Sequence, residues 1–169
     1  MATKTVSAFE KQFLISRTVD APLKTVWKCW TELERLKKWF GPKGSEVLQG
    51  SLDFRPGGLY HYCMRFNGQD MWGKFEYHDI VKEERIIWVN SFSDADAGVT
   101  RHPFGPTWPI RMLTILTMTE NAGKTTIDIK WSPIHPTPEE SDTFAKGFAS
   151  MNGGWGGTFE GLEAYLKTL

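Results

Sequence analysis

The sequence predicts an α+β domain in which a curved antiparallel sheet of about six to seven strands wraps a long C-terminal helix. Three observations carry this. Residues from about Glu46 to Ser132 read as strands and turns, with apolar residues on alternate positions. An apolar stripe through Phe144, Phe148, Met151, Trp155, Phe159, Leu162 and Leu166 has steps of 4, 3, 4, 4, 3 and 4, a helical period held over six turns. The sheet has one apolar face to cover and the helix one apolar stripe to bury, so the economical solution is for one to curl around the other.

The 169-residue chain has the length of one domain. Residues 1–10 read as a polar lead-in and residues 11–169 as the domain. "QFLISRTV" alternates as a first strand. In "DAPLKTVWKCW", Asp20 is placed to cap a helix, Pro22 sits in its first turn, and Leu23, Val26, Trp27 and Trp30 recur at helical spacing. Thr31 and Glu34 form a capping-box pattern for a second short helix carrying Leu33, Leu36 and Phe40. Asn67-Gly68 is a strong hairpin signal, and "ENAGK" marks another. Alternation breaks near Ile80, where a bulge or strand end is expected. Thr137, Pro138 and Glu140 supply an N-cap, an N1 proline and a capping-box glutamate for the last helix.

Two segments need explanation. The loop Ser93–Pro109 is long and carries Phe104 and Trp108. It either docks these rings on the sheet edge or covers a cavity as a lid. "NGGWGG", residues 152–157, resembles a phosphate loop in composition. The helical stripe runs straight through it, and no lysine lies between Lys146 and Lys167. Nucleotide binding is therefore not expected. Each mid-helix glycine costs roughly 1 kcal/mol relative to alanine. The glycines must permit close backbone approach or leave space beside the helix.

Composition bounds the function. Charge is balanced at 20 basic and 20 acidic residues, so neither nucleic acid nor a membrane surface is expected as partner. The opening "MATKTVSAFEKQF" has no apolar run of a secretory signal, and a cytoplasmic location is expected. Cys29, Cys63 and the four histidines lack ligand spacing; neither a metal nor another cofactor is expected. Aromatics make up 14% of the chain, with eight Trp and eleven Phe. On the inward parity stand Tyr60, Tyr62, Met64, Met71, Phe75, Trp88, Asn90, Met112, Thr114 and Trp131. Apolar walls with a few hydroxyls and amides are the composition of a small-molecule site, although such stripes also make plain cores.

The stretches Ser16–Pro42, Asp53–Met64 ("DFRPGGLYHYCM"), Gly73–Trp88, Thr125–Trp131 and "GGW" leading into "FEGLEAYL" resemble the SRPBCC, or START-like, helix-grip superfamily. The likeness is to its branch of homologues of the activator of the heat-shock-protein ATPase (AHSA-type), which includes CalC-like self-resistance proteins. The resemblance implies a deep apolar pocket between sheet and helix. It places Trp39-Phe40-Gly41-Pro42 near the mouth, Tyr60, Tyr62 and Met64 on the sheet wall, and Met151 and Trp155 on the helix wall. Candidate ligand contacts are thus Trp39, Phe40, Tyr60, Tyr62, Met64, Met71, Phe75, Trp88, Asn90, Met112, Trp131, Phe148, Met151 and Trp155. The expected partner is a small apolar molecule. A cyclase- or hydrolase-like enzyme would need an ionisable group in the pocket, with Asp79, His102 and Arg111 as candidates. A co-chaperone-like module would need an exposed apolar patch or charged groove.

Overall fold

The computed structural model describes residues 12–169. Its elements run β1 (Phe13–Val19), α1 (Leu23–Thr31), α2 (Leu33–Trp39), β2 (Glu46–Leu52), β3 (Leu59–Phe66), β4 (Gln69–Val81), β5 (Arg85–Ser93), β6 (Val99–Thr100), β7 (Met112–Asn121), β8 (Lys124–Pro133), α3 (Pro138–Lys146) and α4 (Phe148–Leu166). The lead-in expected at residues 1–10 lies outside the described residues.

All eight strands form one antiparallel sheet, ordered β1-β8-β7-β5-β4-β3-β2. The two-residue β6 adds to β5 at Phe92 and Ser93, on the edge that β7 leaves free beyond Asn90. It lies inside the segment expected to be a plain loop. Both tight hairpins use left-handed pairs, Asn67-Gly68 (φ 51° and 74°) and Ala122-Gly123 (φ 52° and 77°). The register shifts between Tyr77 and Asp79, close to where alternation fails in the sequence. The domain is α+β, with a long C-terminal helix against the sheet's inner face, the helix-grip architecture.

Three local expectations change. Asp20 does not cap α1: the cap position is Pro22, and the Leu23 amide donates instead to Glu120 Oε1 at 2.7 Å. Thr31 and Glu34 make no capping box. The N-cap of α2 is Glu32, and the Thr31 hydroxyl donates back to the Trp27 carbonyl at 2.9 Å. The six-turn stripe is shared by two helices that meet at Gly147, the C-cap of α3 and N-cap of α4. At Thr137 the expected capping box is present, with Glu140 N donating to Thr137 Oγ1 at 3.1 Å and Thr137 N donating to Glu140 Oε2 at 3.4 Å.

The core divides into two clusters. In the larger, Tyr60, Phe75, Trp88, Leu116 and Ile129 of the sheet meet Trp30, Leu36 and Trp39 of the short helices and Phe159 and Leu162 of α4. The smaller joins Phe13, Met112, Phe144 and Met151, with Trp108, Trp131 and Phe148 packed against it. Trp155 and Ile15 touch both. Where the clusters part, a cavity opens.

Candidate functional site

The cavity has a volume of about 540 Å³, within the roughly 300–1,000 Å³ of small-molecule sites. Its sheet wall follows directly from strand parity. Tyr62 and Met64 project from β3, Met71 and Phe75 from β4, Trp88 and Asn90 from β5, Met112 from β7 and Trp131 from β8. Phe40 lies toward α2 and packs edge-on against Tyr62 at 5.6 Å and Phe75 at 5.4 Å. Met151 and Trp155 line it from α4.

Three candidates stand elsewhere. Trp39, the last residue of α2, is buried between α1 and α4. Its indole donates to the Cys29 carbonyl at 3.0 Å, and its ring meets Trp30 edge-on. Tyr60 shares the inner face with Tyr62 but is fully buried behind it, under Phe40 and Phe75. Phe148 turns to Phe13 and Phe144 at the outer end of the small cluster.

Residues that parity does not reach complete the site. The segment after β6 supplies His102, Trp108 and Ile110 to the cavity. Trp108 docks on Trp131 and Phe144 at 5.9 and 6.0 Å, and Thr143 of α3 bonds Thr107 at 2.8 Å. Arg101 reaches the buried Glu140 at 3.4 Å. The segment is therefore both docked and a wall of the cavity. Phe104, by contrast, is 67% exposed. The length and aromatic density of the segment were the sequence signals for it.

The polar side chains on the wall are uncharged ones, Tyr62, Asn90, His102 and a set of Ser and Thr hydroxyls. Tyr62 carries a phenol that burial pushes well above its ordinary pKa, so it stays protonated. His102 lies against Phe92 at 4.6 Å, and burial lowers its pKa. Its Nδ1 accepts the Phe104 amide proton at 3.0 Å. An amide can only donate, so the neutral ring carries its own proton on Nε2. Asn90 Oδ1 accepts from Thr114 Oγ1 at 2.7 Å and from Trp131 Nε1 at 3.1 Å. Among the described residues, no Asp, Glu, Lys or Arg lines the cavity. Asp79 is engaged by Arg85 at 2.8 Å, and Arg111 is exposed.

The glycines of α4 separate by position. A Cβ at Gly161 would sit 3.0 Å from the Trp39 carbonyl oxygen, and one at Gly157 would sit 3.1 Å from the Lys43 amide nitrogen. These two allow the chain around the end of α2 to approach the helix. Gly153, Gly154 and Gly156 face open space, and Gly154 lies on the cavity wall.

An antiparallel sheet gripping a C-terminal helix, with a cavity between them, defines a domain of the helix-grip class. Residues 20–167 match the family model described as activator of Hsp90 ATPase homolog 1-like protein. The chain belongs to this family. It resembles a solved protein from Nitrosomonas europaea with 26% identity over 93% of this chain and 94% of that one, at a TM-score of 0.71. An Arthrobacter aurescens protein shares 19% identity over 96% and 89% of the chains, at a TM-score of 0.75. An AHSA1 protein from Silicibacter pomeroyi shares 16% over 93% and 98%, at a TM-score of 0.69. The last two likenesses speak for the fold alone. No curated protein matches the chain significantly. Among the described residues, no helix is long and apolar enough to cross a membrane, and no cluster of His, Cys, Asp and Glu is arranged to hold a metal.

Proposed function

We propose that the chain binds a small, uncharged, largely apolar organic molecule in the cavity between sheet and α4. One observation carries the reading: a space of about 540 Å³ walled by aromatic and methionine side chains, with no charged side chain on it among the described residues. A charged guest would lose its hydration with no counter-charge in return. A guest that loses about 400 Å² of apolar surface gains roughly 10 kcal/mol at ~25 cal/mol per Å². Lost freedom of motion offsets at least about 4 kcal/mol of that. The remainder, at most about 6 kcal/mol, corresponds to dissociation constants of about 40 µM or weaker.

An enzymatic use of the same cavity is the second reading, because His102 lies on its wall. Its tautomer counts against a general base. The nitrogen free to accept a proton is the one already engaged by Phe104, and Nε2 is a donor. A chaperone-binding role, which the family description suggests, calls for a continuous exposed apolar patch. Among the described residues, the large apolar ones that are exposed, Leu14, Phe104, Ile110 and Leu169, belong to β1, the segment before β7 and the C-terminal end.

The test is a thermal-shift and calorimetric screen with neutral aromatic probes such as N-phenyl-1-naphthylamine, on the wild type and Gly154→Phe. Gly154 faces open space at the wall, and phenylalanine is a better helix former than glycine, so the variant keeps its stability and narrows the site. Binding by the wild type that weakens at least tenfold in the variant is expected. An absence of binding across the panel, with side chains filling the space in a crystal structure, refutes the reading.

A further inference from the structure

We infer that the guest carries a hydrogen-bond acceptor, a neutral carbonyl of the ketone, quinone or lactone kind, and that the side-chain amide of Asn90 holds it. This rests on the cavity being a binding site and adds which chemistry it selects.

The argument begins with the orientation of one amide. Asn90, Thr114 and Trp131 stand on the inner face of the neighbouring strands β5, β7 and β8, where Thr114 is directly opposite both Trp88 and Trp131. An indole N–H donates and cannot accept, so the Asn90 atom facing Trp131 is the oxygen. The fully buried Thr114 hydroxyl donates to the same oxygen. Two donors occupy both lone pairs of Oδ1, which leaves no acceptor there for a guest. They also turn the amide so that Nδ2, with two protons, has no hydrogen-bond partner among the described residues. Asn90 lines the cavity, where an acceptor on an apolar guest can take the place of water at this donor.

Two further groups on the wall agree in sign, while the Ser91 and Ser150 hydroxyls can serve either way. His102 carries its proton on Nε2, and Tyr62 has a protonated phenol with no protein partner among the described residues. The Thr158 hydroxyl gives its proton to the Gly154 carbonyl at 3.0 Å and keeps only weak acceptor capacity on its buried oxygen. Among the described residues, no carboxylate lines the cavity to receive a donor from the guest, and no cation to hold an anionic one. The site therefore selects an acceptor that is polar but uncharged, on an apolar and preferably flat frame.

The test compares fluorenone with fluorene, two planar tricyclic molecules of nearly equal shape, one with a carbonyl and one without. Calorimetry measures the ratio of their dissociation constants for the wild type, Asn90→Leu and Asn90→Asp. The preference for fluorenone is expected to fall about three- to tenfold in each variant, the effect of one neutral hydrogen bond. Asn90→Asp keeps an oxygen for Thr114 and Trp131, so it serves if Asn90→Leu does not fold. In the wild type, the Asn90 side-chain ¹⁵N–¹H signals are expected to move with fluorenone and not with fluorene. If fluorene and fluorenone both bind, and neither the ratio nor those signals respond, the carbonyl assignment is overturned while the cavity reading stands. If neither probe binds the wild type, the cavity reading itself fails.

Discussion

Alanine at four glycines of α4 separates the two roles that these residues play. The chemistry of the substitution is identical at each site, so helix propensity contributes equally, roughly 1 kcal/mol in favour of alanine. What differs is the surroundings. At Gly153 and Gly156 a new methyl meets nothing within 4 Å. At Gly161 it meets the Trp39 carbonyl oxygen at 3.0 Å. That carbonyl has little freedom, because Trp39 is 5% exposed and its indole is tied to Cys29. Overpacking of this kind costs about 1–3 kcal/mol. Gly153→Ala and Gly156→Ala should each gain about 1 kcal/mol, or about 2–4 °C in Tm for a chain of this size. Gly161→Ala should come out neutral to about 2 kcal/mol destabilised. Gly157→Ala should fall between, since its neighbour Lys43 sits in an exposed turn that can shift. Thermal and urea unfolding, read by circular dichroism, give the four values. Gly161→Ala as stabilising as Gly156→Ala would refute the claim that α4 thins there to admit the end of α2.

Two further outcomes follow from titratable groups. Burial holds the His102 pKa below its ordinary value; between the two values the unfolded chain binds more protons, so stability falls as pH drops from about 6.5. His102→Asn, whose oxygen can still accept the Phe104 amide, should flatten this slope in urea titrations at pH 5 to 7, and an unchanged slope would show that another group sets it. Burial pushes the Cys29 thiol up to about 11 and raises Cys63 as well; neither should be alkylated by iodoacetamide at pH 8 in the folded protein, and both should react in denaturant.

Alternation in the sequence states which face of a strand a side chain takes, and this was sufficient for most of the sheet wall. It says nothing of depth. Tyr60 and Tyr62 share one face, yet one is sealed under Phe40 and Phe75 while the other reaches the cavity. Spacing along a helix has the same limit. Phe144 and Phe148 are four residues apart in either one helix or two, and only the cap at Gly147 separates the cases. Local capping rules failed at α1 and α2 where a better partner was available. Glu120, nearly a hundred residues away, takes the place at the start of α1 that the sequence pattern assigns to Asp20, accepting the Leu23 amide. The cap at Thr137 met no such competitor and formed as its pattern predicts. His102 had no periodicity to announce it, since it follows a strand of only two residues.

The glycine-rich stretch and the Asn90 amide bear on the same question from opposite walls. A helix clasped by its neighbours along its whole length would leave no room for a guest, and a helix thinned throughout would be poorly held. In α4 the close contacts fall at Gly157 and Gly161, against the end of α2 and the turn after it, while Gly154 lies free at the cavity. The grip and the opening therefore occupy successive turns of one helix. Across from the opening, two donors commit the oxygen of Asn90 and leave its nitrogen unspent. Pairing the Thr114 hydroxyl and the Trp131 indole uses only the oxygen of Asn90, and the two protons on its nitrogen are left for a guest. An apolar frame accounts for the shape of the space, and an uncharged acceptor on that frame accounts for the polarity of its wall.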